Sequence, residues 1–326
     1  MHELELPALL SDSPLGFLAA LGLLELTTPH LIAPPRLSWR GPAAPAVLHT
    51  HEHLTYQDLA GLLHQQLPDQ PDEEPLPLAP GILSLDREPG APNDALRMPI
   101  GLALQRLRER ARRERTDNDP GARWFTGLVN QLRIAPKDPT KPRKREAPSE
   151  AWYTTTTPLF APAGRMTLAN NWTKAAEHCR KDPTQLRTAL TGWQRVDGYA
   201  GANLDHYSTG NAHTHSHGAP SQQGVPGATW LALHAFPALR LTGTTLHAHT
   251  TSWTHTPNGP ALTWPVWHPP LTPTAITTLL EHPHVRTHKP NPTNLTNLGI
   301  TALYTAPRTR LSNSYGPLKP GQPVHP

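Results

Sequence analysis

Between Ser13 and Leu26 nearly every position is apolar or small, with Glu25 as the single charge. Ser13 suits the cap of a helix, because its hydroxyl can accept from the first free amides. Pro14 suits the first helical position, where a missing N–H is one the helix start leaves unbonded anyway. Apolar groups round the whole circumference require cover on nearly every side, so the stretch predicts the core helix of the fold. Gly16, Ala19, Ala20 and Gly22 lower helix propensity but let a neighbouring backbone come close.

Ahead of this helix, Glu3-Leu4-Glu5-Leu6 alternates as a half-buried strand does, and Leu37–Arg40 predicts a second strand. Thr55 and Asp58, followed by Leu59, Leu62, Leu63 and Leu67, predict a capped amphipathic helix. Proline and acid then dominate from Pro68 to Pro80, a loop. Leu104, Leu107 and Ala111 mark the apolar stripe of a helix otherwise covered by Arg106, Arg108, Arg110, Arg112, Arg113 and Arg115. The run Lys137–Arg145 is too rich in proline and charge to pack, and predicts a mobile basic loop.

Beyond it, Trp152–Thr157 suits a strand. Asn171-Trp172 opens a short helix, and Asp182-Pro183 caps another reaching Trp193. Asp197–Gly224 is a glycine- and histidine-rich loop whose length calls for function or disorder. Gly227–Pro237 is a second small-residue apolar helix. Leu246–His255 and Ala261–Trp267 predict two strands joined through Pro257-Asn258-Gly259 as a hairpin. Thr272-Pro273 caps a helix with Ile276, Leu279 and Leu280 inward, and Leu298–Tyr304 is the last strand. Trp264 and Trp267 fall on opposite faces of a regular strand, so at least one belongs to the core.

Helices and strands are mixed rather than strictly alternating. This predicts an α+β fold: a mixed body with a buried N-terminal helix, a C-terminal sheet containing a hairpin, and a basic helical and loop insertion. Its parts are residues 1–100, with the core helix; 101–150, the basic helix and loop; and 151–326, a second α+β part.

Composition narrows the function classes. The chain has 326 residues, of which 37% are hydrophobic and 40 are proline, so much of it is loop around an adequate core. The apolar helix falls short of the roughly 20 residues of a membrane span, and the opening Met1-His2-Glu3-Leu4-Glu5 lacks the positive start of a signal peptide. We expect a cytoplasmic protein with no membrane partner. One cysteine, Cys179, excludes an intramolecular disulfide and a cysteine-based zinc cage. There is no P-loop, dinucleotide fingerprint or nucleophile elbow.

The net charge is only +4, but its distribution is uneven. Arg106, Arg110, Arg112, Arg113, Lys141, Arg143, Lys144 and Arg145 form the one dense run of positive charge, and we read them as contacts to phosphates of RNA or DNA. Glu109 and Glu114, at helical spacing from these arginines, offset part of that charge. His49-Thr50-His51-Glu52-His53 and His213-Thr214-His215-Ser216-His217 set alternate imidazoles on one side of an extended chain, as a zinc site would. Glu52, Asp197 and Asp205 are the carboxylates such a hydrolytic site would draw on. Twenty histidines mixed with threonine and proline are also what composition alone would produce, so we expect no bound metal or cofactor. His247, His249, Trp253 and His255 would share a hairpin face able to stack on or hydrogen-bond bases.

Three pieces carry a resemblance: Ser13–Leu24, Gly224-Val225-Pro226-Gly227-Ala228-Thr229-Trp230-Leu231-Ala232, and Trp264-Pro265-Val266-Trp267 ahead of the Thr272-Pro273 cap. They resemble actinobacterial CRISPR-associated proteins of subtype I-G (formerly I-U), including families described as large-subunit-like or as an extension of the helicase-nuclease. The resemblance implies a non-enzymatic subunit or accessory of a crRNA-guided antiviral complex that handles RNA or DNA without cutting it, in contact with other subunits. It transfers a context and no active site. Two other classes stand beside it: a histidine-metal hydrolase or nuclease using His213, His215 and His217, and a structural subunit that binds only protein.

Overall fold

Strand β1 (His2–Leu10) lies antiparallel to β3 (Pro45–Thr50), which pairs on its other side with β2 (Arg36–Trp39), giving the order β1-β3-β2. A computed structural model describes residues 1–69, 79, 82–83, 96, 98–117, 119–135, 153–161, 167–206, 222–243, 248–256, 259–287, 289–310 and 315–325 of the chain. The expected basic loop with Lys141, Arg143, Lys144 and Arg145, most of the proline-rich loop, and His213, His215, His217 and His247 lie outside these residues.

Helix α1 (Pro14–Thr27) starts as its sequence requires, with the Ser13 hydroxyl accepting from the Gly16 amide at 3.1 Å. Every residue of it is buried except Glu25, which is half-buried. Helix α2 (Tyr56–His64) carries a reciprocal capping box, Asp58 N–H to the Thr55 hydroxyl at 3.2 Å and Thr55 N–H to the Asp58 carboxylate at 2.8 Å.

A second sheet is built from β10 (Trp253–Thr256), β11 (Gly259–Trp267), β12 (Ile300–Arg310) and β13 (Tyr315–Leu318), with β14 (Gln322–His325) also on β12. α1 is packed against it: Phe17 stacks on Trp264 at 5.6 Å between ring centroids and meets Trp267 edge-on at 6.4 Å. Both tryptophans are fully buried. Opposite faces were expected of positions three apart, but an irregularity between Val266 and Trp267 shifts the pairing so that Trp267 sits opposite Ile300. Both indoles therefore reach the same helix. Each indole N–H also ties the sheets together, Trp264 to the Ser11 carbonyl at 2.8 Å and Trp267 to the Leu37 carbonyl at 2.7 Å.

On its other side α1 crosses α7 (Pro226–Leu233), with Gly22 at the crossing. α7 in turn rests on α5 (Leu168–Lys181) and α6 (Thr184–Thr191). The three pieces that carry the resemblance thus converge: the α1 piece lies between the α7 piece and the β11 tryptophans. One apolar cluster runs from Leu6 to Leu318 and includes Ala103 and Trp124 from the central part.

The fold is α+β, with antiparallel pairing in every sheet among the described residues. No helix among them is long and apolar enough to cross a membrane. Several local expectations are corrected. β3 was not expected; it takes in only His49 and Thr50 of the expected histidine alternation, and the chain leaves it at Thr50. α3 (Ile100–Asp117) is followed by α4 (Gly121–Leu128) and by β4 (Val129–Ala135), which pairs with β5 (Tyr153–Thr156); neither α4 nor β4 was expected. α5 starts from the cap Thr167, whose hydroxyl accepts from Asn170, and not at Asn171. α6 ends at Gly192, so Trp193 lies beyond it and donates its indole N–H back to Ala189. At the base of the long loop, β6 (Val196–Asp197) pairs with β7 (Gln223–Gly224).

The expected strand Leu246–His255 is broken at Thr251-Ser252, where Ser252 has a left-handed φ of 59°. Its first half, β9 (Ala248–Thr250), pairs with β8 (Leu241–Gly243), and its second half is β10, which forms the expected hairpin with β11. α8 (Pro273–Leu280) is capped by Thr272 and buries Ile276, Leu279 and Leu280 as expected. The short helices α9 (Pro283–Arg286) and α10 (Pro292–Asn297) lead into β12, which is six residues longer at its C-terminal end than the expected strand.

Candidate nucleic-acid interface

α3 is rich in Arg and Leu, with Glu and Ala among the rest, all good helix formers, so its 18 residues hold a regular helix with little burial. The line that faces the body is Ala103, Leu107 and Arg110, spaced i, i+4, i+7. Arg110 is only 9% exposed. Its Nη1 lies 2.6 Å from where a Cβ would stand on Gly121, the first residue of α4, beside the Asp119 carboxylate that accepts from the Gly121 amide. Burial lowers the Arg110 pKa and Asp119 opposes that. Arg110 therefore leaves the phosphate-binding set: expected on the charged surface beside an apolar stripe of Leu104, Leu107 and Ala111, it takes an inward position and joins α3 to the start of α4.

Arg112 and Arg113 are exposed and Arg106 is half-buried. Arg113 is paired with Glu109 one turn away at 2.9 Å, which offsets its charge. Arg108, Arg112 and Arg115, four and three residues apart, share the outward edge of the helix. Glu109 is engaged with Arg113, and Glu114 falls on the line of Ala103, Leu107 and Arg110. Among the described residues these three arginines have no ion pair. The sequence pattern had included Arg108 and Arg115 only as part of the general surface; the stripe becomes visible once the inward line is fixed.

Arg123 of α4 is neutralised by Glu25, the single charge of α1, through two guanidinium–carboxylate contacts. Burial raises the Glu25 pKa, and the charge and hydrogen bonds of Arg123 oppose the rise. A cleft of about 320 Å³ lies beside this pair, with Leu21, Leu24 and Ile276 as its apolar lining and Arg240 on its wall.

The histidines separate. His49 is buried and bonded to the Ser38 hydroxyl at 2.8 Å, while His51 and His53 are exposed, His53 edge-on to His2. Burial lowers the His49 pKa, with Glu3 opposing. Of the carboxylates considered for hydrolysis, Glu52 accepts from the Ile32 amide, Asp197 from Gln223, and Asp205 pairs with Arg195 at 2.7 Å. No group of three or more His, Cys, Asp or Glu that could hold a metal occurs among the described residues.

His249 and Trp253 do meet, across the corner at Ser252, in a cleft of about 230 Å³ also lined by Thr263, Leu280, Val285 and Arg286. Arg286 donates to Glu281 at 2.9 Å and to Nδ1 of His249 at 3.1 Å, and Glu281 accepts from the Thr251 hydroxyl. Burial and Arg286 lower the His249 pKa, and Glu281 opposes them. No periodicity foretold this cleft, because it depends on one residue with a positive φ.

No protein-family model and no curated protein matches the chain.

Proposed function

We propose that this chain is a non-enzymatic nucleic-acid-binding protein, a subunit or accessory of a crRNA-guided antiviral complex of the subtype I-G kind. The observation that carries the binding reading is the outward stripe of Arg108, Arg112 and Arg115, which has no ion pair among the described residues. Uncompensated guanidinium groups on a rigid helix suit the phosphate backbone of RNA or DNA, because each can offer two parallel donors to one phosphate. Lys141, Arg143, Lys144 and Arg145 follow within a short stretch and would extend the same contact. The CRISPR context rests on the three resembling pieces, which belong to a single packing unit.

Phosphate contacts release condensed counterions, so log affinity falls linearly with log salt, by about 0.7 per contact on a single strand. Replacing Arg108, Arg112 and Arg115 together by alanine should flatten the slope by about two units, given that per-contact value. Alanine favours helix, so the Tm should not fall. Fluorescence anisotropy of a labelled single-stranded oligonucleotide over a salt series measures the slope. An unchanged slope, or no binding by the parent protein at low salt, removes the proposal.

A further inference from the structure

The cleft of about 320 Å³ beside the Glu25–Arg123 pair joins an apolar floor to one spare cation. Its floor is made by Leu21 and Leu24 of α1 and Ile276 of α8, all three members of the central apolar cluster, so the surface beneath any occupant belongs to the packed core. Glu25, the one acid on the wall, is engaged through both carboxylate oxygens with Arg123, and these two charges cancel. Arg240 is different. It is exposed, and its guanidinium has neither an ion pair nor an acceptor among the described residues. The threonines of the wall add little, because the hydroxyls of Thr277 and Thr278 already donate to the Pro273 and Thr274 carbonyls at 3.0 Å each.

These features select the ligand. Its body must be apolar, because Leu21, Leu24 and Ile276 offer only hydrocarbon and a strongly hydrated group set against them would lose water without a replacement. Its head must carry a single negative charge, since one positive charge remains once Arg123 and Glu25 are matched. A cation would meet Arg240 and find no free carboxylate. A neutral alcohol would use one donor of the guanidinium and none of its charge, whereas a carboxylate accepts two parallel N–H donors from it. Inorganic phosphate has no apolar part for the floor. A volume of about 320 Å³ lies at the lower end of the range for ligand pockets and suits one small molecule.

We propose that this cleft binds a small aliphatic carboxylic acid as its anion, the chain lying on Leu21, Leu24 and Ile276 and the carboxylate on Arg240. The site goes beyond the nucleic-acid reading and does not depend on it.

The test follows full-length protein labelled at the isoleucine δ1 methyls by NMR, with the Ile276 signal assigned by Ile276→Val. Octanoate should shift that signal saturably, and affinity should rise about fourfold for each methylene buried along the series butanoate, hexanoate, octanoate. Octanol, with the same chain and no charge, should bind about tenfold more weakly, while octylammonium and inorganic phosphate should leave the signal in place. Arg240→Gln keeps a polar, exposed side chain and breaks no contact among the described residues, so the variant should fold. It should bind octanoate about tenfold more weakly and octanol as the parent does. No shift with octanoate, equal affinity for octanoate and octanol, a shift with phosphate or octylammonium, or unchanged octanoate binding in Arg240→Gln would overturn the site. An affinity that does not rise with chain length would overturn the role of the apolar floor. N-acetylalanylleucine presents the same chemistry at the end of a peptide, and tighter binding than that of octanoate would overturn the free acid and make the occupant a chain terminus.

Discussion

Gly22 of α1 lies so close to Leu231 of α7 that a Cβ at position 22 would stand 1.7 Å from the Leu231 carbonyl oxygen. The two helices cross backbone to backbone, and no side chain fits between them. This accounts for a glycine inside a helix where alanine would be favoured by about 1 kcal/mol on propensity alone.

Gly22→Ala should therefore destabilise the protein by about 1–3 kcal/mol, since α1 and α7 must move apart. Gly61 of α2 provides the opposite case, with nothing within 4 Å of the position its Cβ would take. Gly61→Ala should stabilise by about 0.5–1 kcal/mol. Chemical denaturation of both variants checks the pair. Equal effects would mean that the α1–α7 crossing does not depend on the missing side chain.

His234 is completely buried, donates its ring N–H to the Trp230 carbonyl at 2.7 Å, and is surrounded by the rings of Trp124, Trp172 and Trp230 at 4.6 to 5.8 Å. Burial pulls its pKa down from 6.5 to about 4. The fold thus holds the neutral form, and the unfolded chain takes up the proton first as pH falls. Stability is fully present above pH 6.5 and declines between there and pH 4, by ~3 kcal/mol in all. His234→Phe should flatten this decline in Tm against pH. Other histidines with lowered pKa, such as His49 and His178, keep part of the slope.

Arg308 is buried with no acidic partner among the described residues, and its guanidinium donates to the carbonyls of Pro158, Leu159, Asn203 and Gly316. Burial lowers its pKa to about 9, so at neutral pH it remains charged. Four carbonyls from three separate segments converge on one planar fork. Lysine, with its donors on a single nitrogen, cannot serve them all. Arg308→Lys should therefore cost on the order of 3 kcal/mol despite conserving the charge. A loss below 1 kcal/mol in urea denaturation would show that these carbonyls find other donors.

What the sequence made legible is what local chemistry decides. Ser13, Thr55 and Thr272 cap helices through side chains three residues from the amides they satisfy, and all three were readable. So was the hairpin of β10 and β11. What stayed hidden depends on distant partners. The strand break at Ser252 follows from a backbone turn, the shared face of Trp264 and Trp267 from a pairing shift against β12, and β3 from the two strands that flank it. Part of the interface was readable as charge density on α3. Which arginines face outward was not, because the inward turn of Arg110 is set by its packing beside Asp119 and Gly121, which follow it outside the helix.

That inward turn separates two neighbours that charge density alone would treat alike. Arg110 is buried against the start of α4, and Arg112 lies on the exposed stripe. Arg110→Ala removes the guanidinium that fills the space beside Gly121 and leaves Asp119 without its nearby cation, so it should lower stability by about 1–3 kcal/mol. It should leave the salt dependence of oligonucleotide binding unchanged at temperatures where the variant is folded. Arg112→Ala should leave Tm within a degree or two and reduce the log–log salt slope by about 0.7, one phosphate contact on a single strand. Thermal melts and anisotropy on the same two preparations measure both effects. A reduced salt slope in folded Arg110→Ala would return that residue to the phosphate contacts. An unchanged slope in Arg112→Ala would leave the outward edge of α3 a solvated surface.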